Sequence, residues 1–177
     1  MKRPRYRSLT LAIHPSSRGF GWAAFEGPFS PYDWGTVDAR GAHKNEKCLR
    51  RIEKLLKRLT PQNLVLETFD VETSARRTRI ARLGQAMVAL ATVYSVEVAI
   101  YARKDVQGCF VHLGARTRWE IASVIARQFN QFEHLLPAPR KTWQVEHWRM
   151  ALFSALALAL THFQRDALTL LDEIRPS

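Results

Sequence analysis

Residues 9–23 read Leu-Thr-Leu-Ala-Ile-His-Pro-Ser-Ser-Arg-Gly-Phe-Gly-Trp-Ala, and the reading of this stretch decides the fold. The apolar, β-prone run from Leu9 to Ile13 is followed by Pro15; Gly19, Gly21 and the alternating bulky residues Phe20, Trp22 and Phe25 then read as a turn into a hairpin partner. His14 falls at the end of the first strand, where a side chain is offered to whatever lies beyond the sheet. Residues 8–14, 19–26 and 32–38 read as consecutive antiparallel strands joined by Gly/Pro/Ser turns.

The period then changes. Over residues 46–59, Leu49, Ile52, Leu55, Leu56 and Leu59 recur at helical steps while the lysines and arginines face elsewhere, and Thr60-Pro61 stops the helix. Residues 63–67 form a short apolar run of the kind found in buried parallel strands, ending in Glu67, with the preceding helix as its crossover. A long helix from residue 74 carries Ile80, Leu83, Met87, Leu90 and Tyr94 on one stripe and Arg76, Arg77, Arg79 and Arg82 at its start. Positive charge in a first turn opposes the helix dipole, so these arginines point to phosphate rather than to the helix. Residues 97–101 read as another strand, 103–113 as a short helix or irregular connection, and 119–132 as a helix stopped near Pro137 and Pro139. After the loop PAPRKTW, an almost wholly apolar helix opens at Glu146 or His147 and runs to about Phe163. The sum is an α/β domain with a mixed central sheet.

A chain of 177 residues with 46% hydrophobic content fits one domain, with a basic tail at 1–7 and a C-terminal tail at 165–177. Its net charge of +11 implies an acidic polymer as partner, nucleic acid before anionic lipid. The longest apolar run, residues 150–160, contains Ser154 and falls short of the roughly 20 residues of a spanning helix, so no membrane is expected. The N-terminus MKRPRYR precedes too short an apolar stretch for a signal peptide, and a cytoplasmic, nucleoid-associated protein is expected. Cys48 and Cys109 stand apart without metal-ligand spacing, which argues for reduced thiols and no zinc.

With these elements placed, four segments carry a resemblance: LTLAIHPSSRGFGWA, VLETF ending in Glu67 with Phe69 just beyond, ARLGQAMVAL, and SALALALTH. In order and spacing the chain resembles the RuvC-type Holliday junction resolvases of the RNase H-like superfamily, from about residue 8 to residue 165. The resemblance implies an RNase H-like fold, in which four acids hold two Mg²⁺ ions that activate water at a phosphodiester. Those acids fall here on His14, Glu67, Ala151 and Ser154, so only the glutamate is kept. One carboxylate cannot balance two Mg²⁺ or supply their hard oxygen ligands, so no cofactor is expected; His14 and Glu67 together would make at most a weak site for a softer ion such as Mn²⁺ or Zn²⁺. Asp70 and Glu72 read as solvated loop acids and Asp166 as surface. Glu146 and His147, taken as helical, lie about 10 to 12 Å along the axis from Ser154, too far to substitute.

Each residue carries two readings. His14 is a strand-end histidine bonded to backbone, or a ligand of metal or phosphate; Glu67 is salt-bridged to an arginine such as those at 76–82, or a vestige of the metal site. Ser154 bonds the carbonyl one turn back. The resemblance places Arg116 and Arg118 where the family has a DNA-contacting lysine, and Phe69 within one position of an aromatic that stacks on unpaired bases; a core phenylalanine is the alternative. Lys104, Arg140 and Lys141 are further candidates for phosphate contact. The function expected is branched-DNA binding with the nuclease site largely lost, as a homodimer or a subunit of a larger nucleoprotein complex. The alternatives are a working endodeoxyribonuclease remodelled around His14 and Glu67, using Mg²⁺ or Mn²⁺, and a scaffold subunit.

Overall fold

A computed structural model describes residues 8–69 and 75–174, with the side chains of residues 75, 76 and 171–174 also left aside. The basic tail at 1–7, the acids Asp70 and Glu72, and the Arg76 side chain therefore lie outside the described residues. The elements are β1 (Thr10–Ser16), β2 (Gly19–Gly27), β3 (Ser30–Asp38), α1 (Lys44–Leu59), β4 (Asn63–Glu67), α2 (Ala75–Val93), β5 (Glu97–Tyr101), α3 (Arg103–Phe110), a 3₁₀ turn (Val111–Leu113), α4 (Arg118–Gln128), α5 (Asn130–Glu133) and α6 (Met150–Ile174).

The sheet runs in the order β3-β2-β1-β4-β5; β1, β2 and β3 pair antiparallel, and β1, β4 and β5 parallel. Alternation along each strand divides the interior in two. Leu11 and Ile13 with Trp22, Leu64 and Leu66 pack against α1 and α2, burying Ile52, Leu56, Leu83 and Met87. Ala12, Ala23, Phe25 and Val65 point to the opposite face, under α3, α4, α5 and the apolar part of α6. His14 and Glu67, each two residues beyond a member of that second set, face α6 as well.

Three expectations are corrected. β1 does not stop at His14 but continues through Pro15 to Ser16. Beyond Ala12 it pairs with β2 alone, and a strand with one free side accommodates a proline. The helix expected over 119–132 is two, because Phe129 leaves helical geometry (φ −125°, ψ 98°) and is buried with Phe132 against Phe25 and Trp34; aromatic packing overrides the local helical preference. The last helix begins at Met150, not at Glu146 or His147, and continues past Phe163 to Ile174. Its polar extension is held by Arg165 on Asp105 (3.2 Å) and by His162 on Asp166 (3.3 Å).

Candidate functional site

The parallel pairing of β1 with β4 matches Thr10 to Asn63, Leu11 to Leu64 and Ala12 to Val65, and then ends. The same register carried two residues further sets His14 opposite Glu67, at the point where β1 stays with β2 and β4 stays with β5. A crevice at the carboxyl ends of parting strands is where open α/β sheets bind ligands. Here it is bridged: His14 Nε2 lies 2.9 Å from Glu67 Oε2. Burial works to raise the Glu67 carboxyl, but the His14 hydrogen bond and the charges of His14, Arg118 and Arg103 outweigh it and hold the group below the usual carboxylate range. With Glu67 ionised, His14 Nε2 carries the hydrogen and donates it, and His14 Nδ1 is buried without a hydrogen-bond partner among the described residues. The partner of His14 is thus a side chain rather than backbone, and among the described residues the partners of Glu67 come from β1, α3 and α4.

Arg118 extends this pair. Its Nη2 is 3.5 Å from His14 Nε2, a contact between two donors, and its Nη1 donates to both Glu146 oxygens at 3.2 and 3.4 Å. Glu146 reaches the site because residues 134–149 form a connection that folds back over the sheet end, whereas a helix would have carried it away. The expectation that no second acid approaches the site is therefore overturned.

The other wall is α6. Gly21, the cross-strand partner of His14, lies so close to it that a Cβ would stand 2.1 Å from the carbonyl carbon of Ala151 and 2.2 Å from its oxygen. Only glycine admits a helix backbone at that distance. His14, Glu67, Ala151 and Ser154 consequently line one cleft of about 1180 Å³, together with Phe69 and the arginines 18, 103, 116, 118 and 140.

No family-level sequence profile matches the chain. The crossover junction endodeoxyribonuclease RuvC of Chlorobium chlorochromatii is 21% identical over 139 residues, which span 74% of this chain and 71% of that protein. Two solved structures of Thermus thermophilus RuvC superpose over nearly the whole molecule: one in complex with a Holliday junction substrate (TM-score 0.65, 17% identity, 90% of this chain and 95% of that one), and another (TM-score 0.66, 18% identity, 91% and 96%). The chain has the RuvC-type, RNase H-like fold.

Among the described residues, the donors at the crevice of this RuvC-type fold are not a set that suits a pair of Mg²⁺ ions. Such ions need several hard oxygen ligands. Glu67 Oε2 is engaged by His14, Ala151 offers no donor, Ser154 offers a neutral hydroxyl, and Glu146 is committed to a guanidinium that already brings positive charge against His14 and Glu67. Among the described residues no three of His, Cys, Asp and Glu are grouped as metal ligands.

The candidate phosphate contacts separate into groups. Arg116, Arg118 and Arg140 line the cleft; Lys104 and Lys141 are exposed beside it without lining it. On α2, Arg77 and Arg82 are exposed outside the cleft, while Arg79 braces the fold, donating to Ser16 O at 2.9 Å and to Asn45 Oδ1 at 3.1 Å. The start of α4 offers side chains but few free backbone donors. Glu120 accepts from the N–H groups of Arg116 and Thr117, and Thr117 Oγ1 accepts from Glu120 N, an arrangement that also holds the Glu120 carboxyl low. Phe69 is partly buried with its ring pressed on α2 at Gly84, where a Cβ would stand 2.4 Å from the ring, and it also lines the cleft. The sequence reading missed Arg18, Arg103 and Trp148, and set Glu146 aside by taking it as helical. Arg103 alone had a signal, its place directly after the strand that pairs with Glu67.

Proposed function

We propose that this chain binds branched DNA and holds it without cutting it. The observation that carries the reading is Arg118: a guanidinium lies against the His14–Glu67 pair, within a cleft whose corresponding positions would otherwise have to gather carboxylates. Among the described residues, five arginines line that cleft against three carboxylates, and Glu67, Glu120 and Glu146 are all engaged within the protein. The surplus is positive, as a phosphate backbone requires. Likeness to a RuvC solved with a Holliday junction supports a junction as the form of DNA.

The test compares a four-way junction with linear duplex of the same length and salt by electrophoretic mobility shift, with a cleavage assay in Mg²⁺ and in Mn²⁺ alongside. The expected result is tighter binding to the junction, affinity falling steeply as salt rises, and intact DNA in both metals. Equal affinity for the two DNAs removes the branch selectivity. Cleavage that disappears in Glu67→Gln would instead establish a remodelled nuclease.

A further inference from the structure

The connection between α5 and α6 carries two tryptophans that the fold leaves out: Trp143 is 76% exposed and Trp148 42% exposed. Large exposed aromatics on an ordered segment mark a binding surface. This segment is tied at several points. Trp119 Nε1 donates to Pro137 O at 2.9 Å; Gln144 N donates to Lys141 O at 3.0 Å, and Gln144 Oε1 accepts from Lys141 N at 2.9 Å. Arg140 Nη1 closes the turn on Gln144 O at 2.7 Å, and Glu146 returns the chain to Arg118 at 3.2 Å. The rings are thus presented already ordered, which lowers the entropy lost on binding.

Each ring also has a cation. Lys141 Nζ lies 5.2 Å from the centre of the Trp143 ring, and the Arg149 guanidinium 5.2 Å from that of Trp148, on which the His147 ring stacks at 5.6 Å and 27°. The one acid between residues 137 and 149, Glu146, is spent on Arg118. Trp148 and Arg140 reach the cleft itself. Exposed aromatic rings that each carry a cation over the ring, on a segment with no free acid, suit a ligand that is flat and carries negative charge along its chain. We infer that Trp143 and Trp148 form a stacking platform for unpaired nucleobases, with Lys141 and Arg149 taking the flanking phosphates. An apolar protein surface would gain nothing from those cations.

This inference rests on the DNA-binding reading, and the experiment separates the two. A junction and a forked duplex carry 2-aminopurine at an unpaired position, with linear duplex as the control. Titration with the wild-type protein should quench the probe. Trp143→Ala and Trp148→Ala should each weaken binding to the DNAs with unpaired bases by about tenfold, the loss of one stacked base. They should leave linear duplex and the thermal melt unchanged, and Trp143→Phe should retain most of the affinity. If the wild type binds and quenches but neither alanine variant differs from it, or if both variants weaken duplex and branched DNA alike, this inference fails alone. A wild type that binds none of the three DNAs overturns it together with the reading beneath it. An oligomer that dissociates on Trp143→Ala without change in DNA affinity assigns the surface to a second copy of the chain and overturns it too.

Discussion

Replacing Glu67 by Gln asks whether the centre of the cleft is a leftover acid or a completed ion-paired unit, because the two answers have opposite signs. The Glu67 side chain is 21% exposed and that of His14 11%. A carboxylate this buried and unpaired would cost stability, and Gln would relieve it. Here the carboxyl sits below its usual range despite burial, so its partners more than offset desolvation. Gln can still accept from His14 Nε2, so the substitution exchanges a charged hydrogen bond for a neutral one, about 1 kcal/mol. It also removes the attraction of the part-exposed Arg118, discounted to about 0.5 kcal/mol for solvent screening. A loss near 1.5 kcal/mol corresponds to a Tm lower by about 3 to 6 °C in a chain of this size. The effect depends on pH with a definite sign. A carboxyl whose folded pKa is depressed stabilises fully above its ordinary value, 4.5, and this contribution is lost as the pH falls through the lower folded value. Melts of wild type and Glu67→Gln from pH 7 down to pH 3 should therefore converge at the acid end. A variant more stable than wild type at pH 7, or a difference that does not shrink in acid, would refute the reasoning.

The remaining predictions concern single contacts. Gly21→Ala should lose about 3 kcal/mol or more in urea unfolding, since the Ala151 backbone cannot yield 2.1 Å contacts, whereas Gly27→Ala, with nothing within 4 Å of its Cβ, should be close to neutral. Tyr101→Phe should cost about 1 to 2 kcal/mol, seen as a lower urea midpoint, because His162 Nδ1 loses its 2.9 Å partner while the residue is 6% exposed. His14→Asp should yield no cleavage product with labelled junctions in Mg²⁺ or Mn²⁺, since Ala151 and Ser154 supply no carboxylate and Arg118 remains beside the new acid.

The sheet was legible because its signals are local. The apolar run before His14, the Gly-x-Gly after it and the short run ending at Glu67 each state a strand in a few residues, and their order states the topology. What was not legible depends on packing across the chain. Phe129 breaks a helix for the sake of Phe25, 104 positions earlier by their numbers, and no window around residue 129 contains that partner. Glu146 looked helical because the apolar run follows closely, yet its position is set by Arg118. The four positions of the site could be aligned from sequence, and Arg118 was marked for DNA contact, but its approach to His14 was not visible, because nothing in the spacing of residue 118 from residues 14 and 67 indicates that they meet. One signal was present and passed over: Thr117 and Glu120 are spaced as a capping box, which fixes where α4 starts.

Gly21 ties two of those positions to a single level of the molecule, since His14 pairs across from it and Ala151 rests on it. The residue that sets this geometry has no side chain and takes part in no chemistry, so the frame and its contents can change independently. Substitutions at 14, 151 or 154 alter what the crevice holds without moving its walls, while one methyl group at 21 would move a wall and leave every ligand intact. For a protein engineer this makes the crevice a fixed socket, open to a new set of side chains on an unaltered backbone.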